Sequence, residues 1–184
     1  MTELSPFAAT LPTTDYFELD SELVGDRLAI WVTKPVNYTD SRGPYPVLYT
    51  TDGNASAALL APYVEQLAYD VIESWVPFVH VAVGYPPEGA TSWLTRRTRE
   101  LVPPGELPSE SVLANVHDDA EAAGWTAEEE QAYRESIMNG GRADNFLAFL
   151  EQELRPVVEQ RYNVRTDAAG LFGYSGSSYV WWGR

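Results

Sequence analysis

The sequence predicts an α/β fold on a largely parallel sheet, because its segments follow one another in a telling order. Two alternating apolar runs come first, then a short apolar run ending in a glycine turn, an amphipathic stretch with helical spacing, and a second β-rich run. Strand, helix and strand in that order fit a crossover unit, which joins parallel strands. Composition agrees: with 45% hydrophobic and 12% aromatic residues over a length of 184, the chain has the material for a core, which argues against disorder, a collagen-like repeat or a coiled coil.

Each element follows from its own residues. Residues 14–33, TDYFELDSELVGDRLAIWVT, alternate on both sides of Gly25 and predict two antiparallel strands. Leu28, Ile30 and Val32 then share one face, with Trp31 opposite. Residues 34–46 are dense in Pro, Gly, Asn, Asp and Ser and predict a loop. PVLYTTDG has the pattern of a buried strand that stops at Asp52 and Gly53. Over residues 57–75, Leu60, Tyr63, Val64, Leu67, Ala68, Val71, Ile72 and Trp75 recur at helical spacing, with Glu65, Gln66, Asp70 and Glu73 on the other side. PFVHVAVGYPPEG is the next strand, ended by Gly84 and two prolines.

Residues 101–139 differ in composition, with nine acidic side chains against Arg134 alone. They read as an acidic insertion, either a lid or a solvated surface excursion with a short helix near 127–137. DNFLAFLEQELRPVVEQRYNV returns to helical spacing, and Pro156 inside it predicts a bend or restart. AAGLFGYSGSSYVWWGR runs from a short strand into a glycine and serine turn, then an apolar segment.

Charge and composition narrow the function. With 27 acidic and 12 basic residues the formal charge is −15, the wrong sign for a nucleic-acid surface. No apolar stretch nears the roughly 18 residues of a membrane span, and MTELSPFAATLPTT lacks the basic start and apolar run of a secretory signal, so a cytoplasmic location is expected. Without cysteine there is no thiolate nucleophile and no sulfur-based zinc site. His80 and His117 alone supply imidazole. The group His117, Asp118, Asp119 and Glu121 holds one histidine and reads as a solvated acidic face, so neither a metal nor a cofactor is expected.

The segment richest in chemistry is Leu171-Phe172-Gly173-Tyr174-Ser175-Gly176-Ser177-Ser178. A serine at a sharp turn from strand to helix is held with its hydroxyl above the sheet, and small neighbours let the helix pass close to the strand. Gly173 meets the first small position of G-x-S-x-G, whereas Ser177 replaces the second glycine. Taken alone the string is either such a turn or an ordinary Gly/Ser turn.

RLAIWVTKP, YPVLYTTDGN, VHVAVGYP followed by RRTRELVP, GGRADNFLAFLEQELRPVVEQRY and LFGYS stand in one order across most of residues 20 to 178. In that order they resemble the esterase family of the α/β-hydrolase superfamily, which takes in esterase D and the enterochelin-type siderophore esterases. The resemblance implies a three-layer α/β-hydrolase-like sandwich, mostly parallel with N-terminal antiparallel strands, and a small-molecule ester as substrate. It makes Ser175 the nucleophile of an acyl-enzyme mechanism, with the N–H groups of Gly176 and Gly53 forming the oxyanion hole. Arg99 matches a family arginine near the pocket and would bind a substrate carboxylate or phenolate, or else pair with Glu100 or the acidic insertion. Tyr174 and Asn54 would touch substrate. Arg96 and Arg97 read as surface charges, and Tyr179, Trp181 and Trp182 as core.

The triad is incomplete in the sequence. In this superfamily an acid and then a histidine follow the serine, yet the nine residues after Ser175 include neither. His80 reads as a core histidine, and His117 would have to swing over the pocket. The chain is therefore expected to be a single incomplete domain over residues 1–184 that lacks its C-terminal strands and is nearly inactive as it stands. Two other readings remain open: a non-catalytic esterase-like binding module, and a non-functional fragment. Oligomeric state is not specified by the sequence.

Overall fold

Gly25, at φ 74°, turns the chain between its first two strands, β1 (Thr14–Ser21) and β2 (Asp26–Thr33). That left-handed backbone is cheap only without a Cβ. The structure, a computed structural model, describes residues 11, 13–69, 75–86, 92–106 and 110–174.

β1 and β2 pair antiparallel, and β2 pairs antiparallel with β4 (Val79–Gly84). β4 and β5 (Val164–Phe172) lie parallel to β3 (Tyr45–Thr50) on its two sides. The five-stranded sheet thus has the order β1-β2-β4-β3-β5, a parallel part joined to the N-terminal antiparallel pair. Between β3 and β4 runs α1 (Gly53–Leu67), the helix of the predicted crossover.

Strand alternation divides the sheet into two faces. On one, Leu28, Ile30, Val32, Val47, Val79, Val81 and Val83 form the core with Phe146, Phe149, Leu154 and Val158. Burying each such side chain fully contributes on the order of 1.5–3 kcal/mol. Their helical partners come from α5 (Ala143–Phe149), a π turn (Leu150–Leu154) and α6 (Arg155–Arg161), which follow without a break. The bend predicted at Pro156 takes the form of this widened turn. Proline has no N–H, and its ring crowds the carbonyl four residues earlier, so the turn before it opens.

α1 packs on the other face, and it differs from expectation in extent and in stripe. It starts at Gly53 instead of residue 57, and its described part ends at Leu67; residues 70–74, with the expected Val71 and Ile72, lie outside the described residues. Its buried side chains are Ala57, Ala61 and Val64, whereas Tyr63 is exposed. Small residues face the sheet because the helix starts so close to it: a Cβ on Gly53 would lie 2.7 Å from the Val83 carbonyl carbon.

α2 (Ser92–Glu100) follows β4. The acidic segment then forms α3 (Glu110–Ala123) and α4 (Ala127–Met138), the latter started by Thr126 and Glu129 in a reciprocal capping box. α4 covers the span where a short helix was read, and it packs against α2.

Candidate active site

The carboxyl ends of the parallel strands meet in one place. Thr51 N–H, just past β3, donates to the Phe172 carbonyl at the end of β5 over 3.3 Å. Beside that junction lies a groove of about 500 Å³, lined by Thr51, Asp52, Ala55, Ser56, Leu59 and Leu60 from β3 into α1, by Trp93, Leu94 and Arg97 of α2, and by Phe172 and Tyr174. Concave, mostly apolar clefts with a few placed polar groups at the strand ends are where open α/β sheets bind ligands.

The turn from β3 into α1 is Asp52-Gly53-Asn54. Gly53 is held between Gly84 and Trp31: a Cβ there would sit 2.9 Å from Gly84 N and from the Trp31 ring. The facing Gly84 is equally confined, since its Cβ would fall 2.4 Å from Asn54 Oδ1. Asn54 is spent on this junction. Its Nδ2 donates to the Tyr85 carbonyl at 2.8 Å, and Tyr85 N–H donates to its Oδ1 at 2.9 Å. Both ends of the Asn54 amide thus have a backbone partner, which ties α1 to the end of β4.

Asp52 takes a left-handed backbone, φ 55° and ψ 41°, and its side chain does not cap the helix it precedes. The carboxylate instead meets Arg97, through Nε to Oδ1 and through Nη2 to Oδ2 at 3.2 Å. Arg97 Nη2 also comes within 3.5 Å of the Tyr174 carbonyl oxygen. Arg97 is thus no surface charge, and its side chain is only 20% exposed. Helical spacing was the available signal, since Trp93 and Arg97 stand four apart on one face of α2.

Arg99 points elsewhere. Its guanidinium holds Glu100 through Nε at 2.7 Å and Asp26 through Nη2 at 2.8 Å, and Glu100 is fully buried. Arg96 also lies against Asp26, at 3.5 Å. Arg99 thus makes the ion pair with Glu100 that was expected as the alternative to a substrate contact. Burial raises the Glu100 carboxyl, while Arg99 opposes that shift. Tyr174 lines the groove and is largely exposed. Ser175 and Gly176, like Tyr179, Trp181 and Trp182, lie outside the described residues.

Neither histidine lines the groove. His80 is fully buried on the α1 side of β4, with Nε2 2.8 Å from Thr50 Oγ1; Thr50 is in turn 3.0 Å from Ser56 Oγ, and Ser56 donates to the Thr51 carbonyl. Burial pulls its pKa down to about 4, so the ring is neutral at pH 7. His117 on α3 is exposed and paired with Glu130 at 3.0 Å, which raises its pKa. Among the described residues no group of three or more His, Asp or Glu side chains stands ready for a metal ion, and no helix is long and apolar enough to cross a membrane.

Comparison with known proteins places this geometry in context. The model of the family described as "Putative esterase" matches residues 21–180. A siderophore triacetylfusarinine C esterase of Aspergillus fumigatus is 29% identical over 92% of this chain and 49% of its own length. The ferri-bacillibactin esterase BesA of Bacillus subtilis is 26% identical over 91% of this chain and 51% of its own. The crystal structure of the BES protein from Bacillus cereus superposes with a TM-score of 0.68 at 25% identity, covering 98% of this chain and 58% of that one. The chain thus spans about half the length of the curated relatives it matches.

Proposed function

Because the chain belongs to this esterase family, we propose that the whole protein hydrolyses a small-molecule carboxylic ester, with Ser175 as its nucleophile. One observation carries the proposal: the groove at the carboxyl ends of β3 and β5 is bordered by Tyr174, the residue directly before Ser175. Ser175 would attack the ester carbonyl, the alcohol would leave, and water would cleave the resulting acyl-enzyme. The carbonyl oxygen becomes an anion on attack. Gly176 N–H and Gly53 N–H are the proposed donors, and Gly53 opens α1, whose N-terminus carries the positive end of the helix dipole.

The names of the relatives point to siderophore esters as the class of substrate, and we carry that class over within the proposal. Serine attack at neutral pH needs a general base. His80 is locked in the sheet and His117 on α3 is paired with Glu130, so neither is in place to serve. The 184-residue chain by itself is accordingly expected to turn over esters poorly, since loss of the base from a triad costs on the order of a million-fold.

Turnover of p-nitrophenyl acetate tests both halves. The whole protein should release p-nitrophenol, and Ser175→Ala should reduce the rate by at least about 1,000-fold with an unchanged melting temperature. Robust turnover by the 184-residue chain, abolished by Ser175→Ala, would instead bring His117 back as the base.

A further inference from the structure

Arg97, on α2, touches both Asp52 in the turn after β3 and the Tyr174 carbonyl past the end of β5. Asp52 sits in a left-handed backbone, which Asp and Asn adopt more readily than other residues with a side chain. The Asp52 carboxylate would ordinarily cap α1, and the structure gives it to Arg97. A guanidinium fork meeting both oxygens of a carboxylate fixes orientation as well as distance, which a lysine ammonium does not. The third contact, to the Tyr174 carbonyl at 3.5 Å, falls on the residue before Ser175. Side-chain exposures of 20% for Arg97 and 16% for Asp52 keep the pair partly screened from water.

Resting on the roles of Ser175 and Gly53 given above, we propose that Arg97 is a positioning residue. Through Asp52 and the Tyr174 carbonyl it sets the spacing between the turn that offers the Gly53 N–H and the end of β5 that leads into Ser175. Arg97 does not bind the substrate. Its charge is neutralised by Asp52, so an anionic group on the ester gains little from it. Oxyanion stabilisation depends on donors aimed in advance at the developing charge. A brace between the two supplies that aim, and misplacement by about 1 Å costs on the order of 100-fold.

Hydrogen exchange on the 184-residue chain tests the brace without any need for turnover. Arg97→Met should speed amide exchange about 10-fold or more in two segments together, residues 50–58 and 168–174, with β2 and β4 unchanged. Arg97→Lys should fall between Met and wild type. Asp52→Asn should reproduce the change in the first segment, and the double variant should add little. Asp52→Asn and Arg97→Lys keep the test decisive if Arg97→Met does not fold. For the Arg97 variants, a change in one segment alone, a uniform change over the chain, or no change overturns the proposal. In the whole protein, Arg97→Met should slow fluorophosphonate labelling of Ser175 about 100-fold and Arg97→Lys should restore part of it. Absence of labelling in the unsubstituted protein would count against Ser175 as nucleophile, and the exchange result would still decide the brace.

Discussion

His80 is a buried base that the site does not use, and it gives the protein a defined response to pH. Folded, its pKa is held at about 4 by burial; unfolded, it returns to the ordinary 6.5. Between those values the unfolded chain binds a proton that the folded chain refuses. Stability is therefore lost as pH falls from about 6.5 towards 4 and levels off below, by on the order of 3 kcal/mol in full. Urea unfolding followed across that range should show the wild type losing more stability than His80→Gln, whereas parallel curves would contradict the assignment. The sequence already identified this histidine as a core residue, since it stands mid-strand in PFVHVAVG. What the sequence could not show was its partner. Thr50 lies 30 residues away, and only the parallel register of β3 and β4 brings the two together. The arginines carry the same lesson, because Arg97 and Arg99 are two apart on a helix and face different carboxylates, Asp52 in the turn after β3 and Asp26 on β2.

The elements were more legible than their contacts. Alternation around Gly25 specifies both β1 and β2, and the continuous runs specify β3 and β4, because strand period and turn chemistry are local properties. The stripe of α1 was misread for a physical reason. Periodicity places Tyr63 with Val64 on the buried side, whereas the sheet accepts the small Ala57 and Ala61 with Val64 and leaves Tyr63 outside. The two facing glycines impose this. Gly84→Ala would drive a methyl group into Asn54, whose backbone N would lie 2.8 Å away, and push α1 off β4. We expect a loss of about 1–3 kcal/mol from that overpacking. Thermal unfolding checks it. A midpoint matching wild type would show that α1 can shift at no cost.

At the scale of the molecule, the strand order β1-β2-β4-β3-β5 leaves β5 with one described neighbour, and Phe172 at its end is half-exposed beside the groove. The five strands, α1, α4 and the helical run from α5 to α6 were readable from pattern and family resemblance, whereas α2 and α3 were not, because their segments show little apolar periodicity. The groove was readable only as a location, because its walls come from three parts of the chain separated by up to about 120 residues of sequence, and packing rather than spacing joins them. The proposed nucleophile, Ser175, directly follows Tyr174 at the groove. The most direct measurement is therefore to treat the whole protein with a fluorophosphonate and locate the adduct by tandem mass spectrometry. The expected result is a single adduct on Ser175, formed in step with loss of ester turnover and absent from Ser175→Ala. An adduct on another groove serine such as Ser56, or turnover that survives Ser175→Ala, would contradict it.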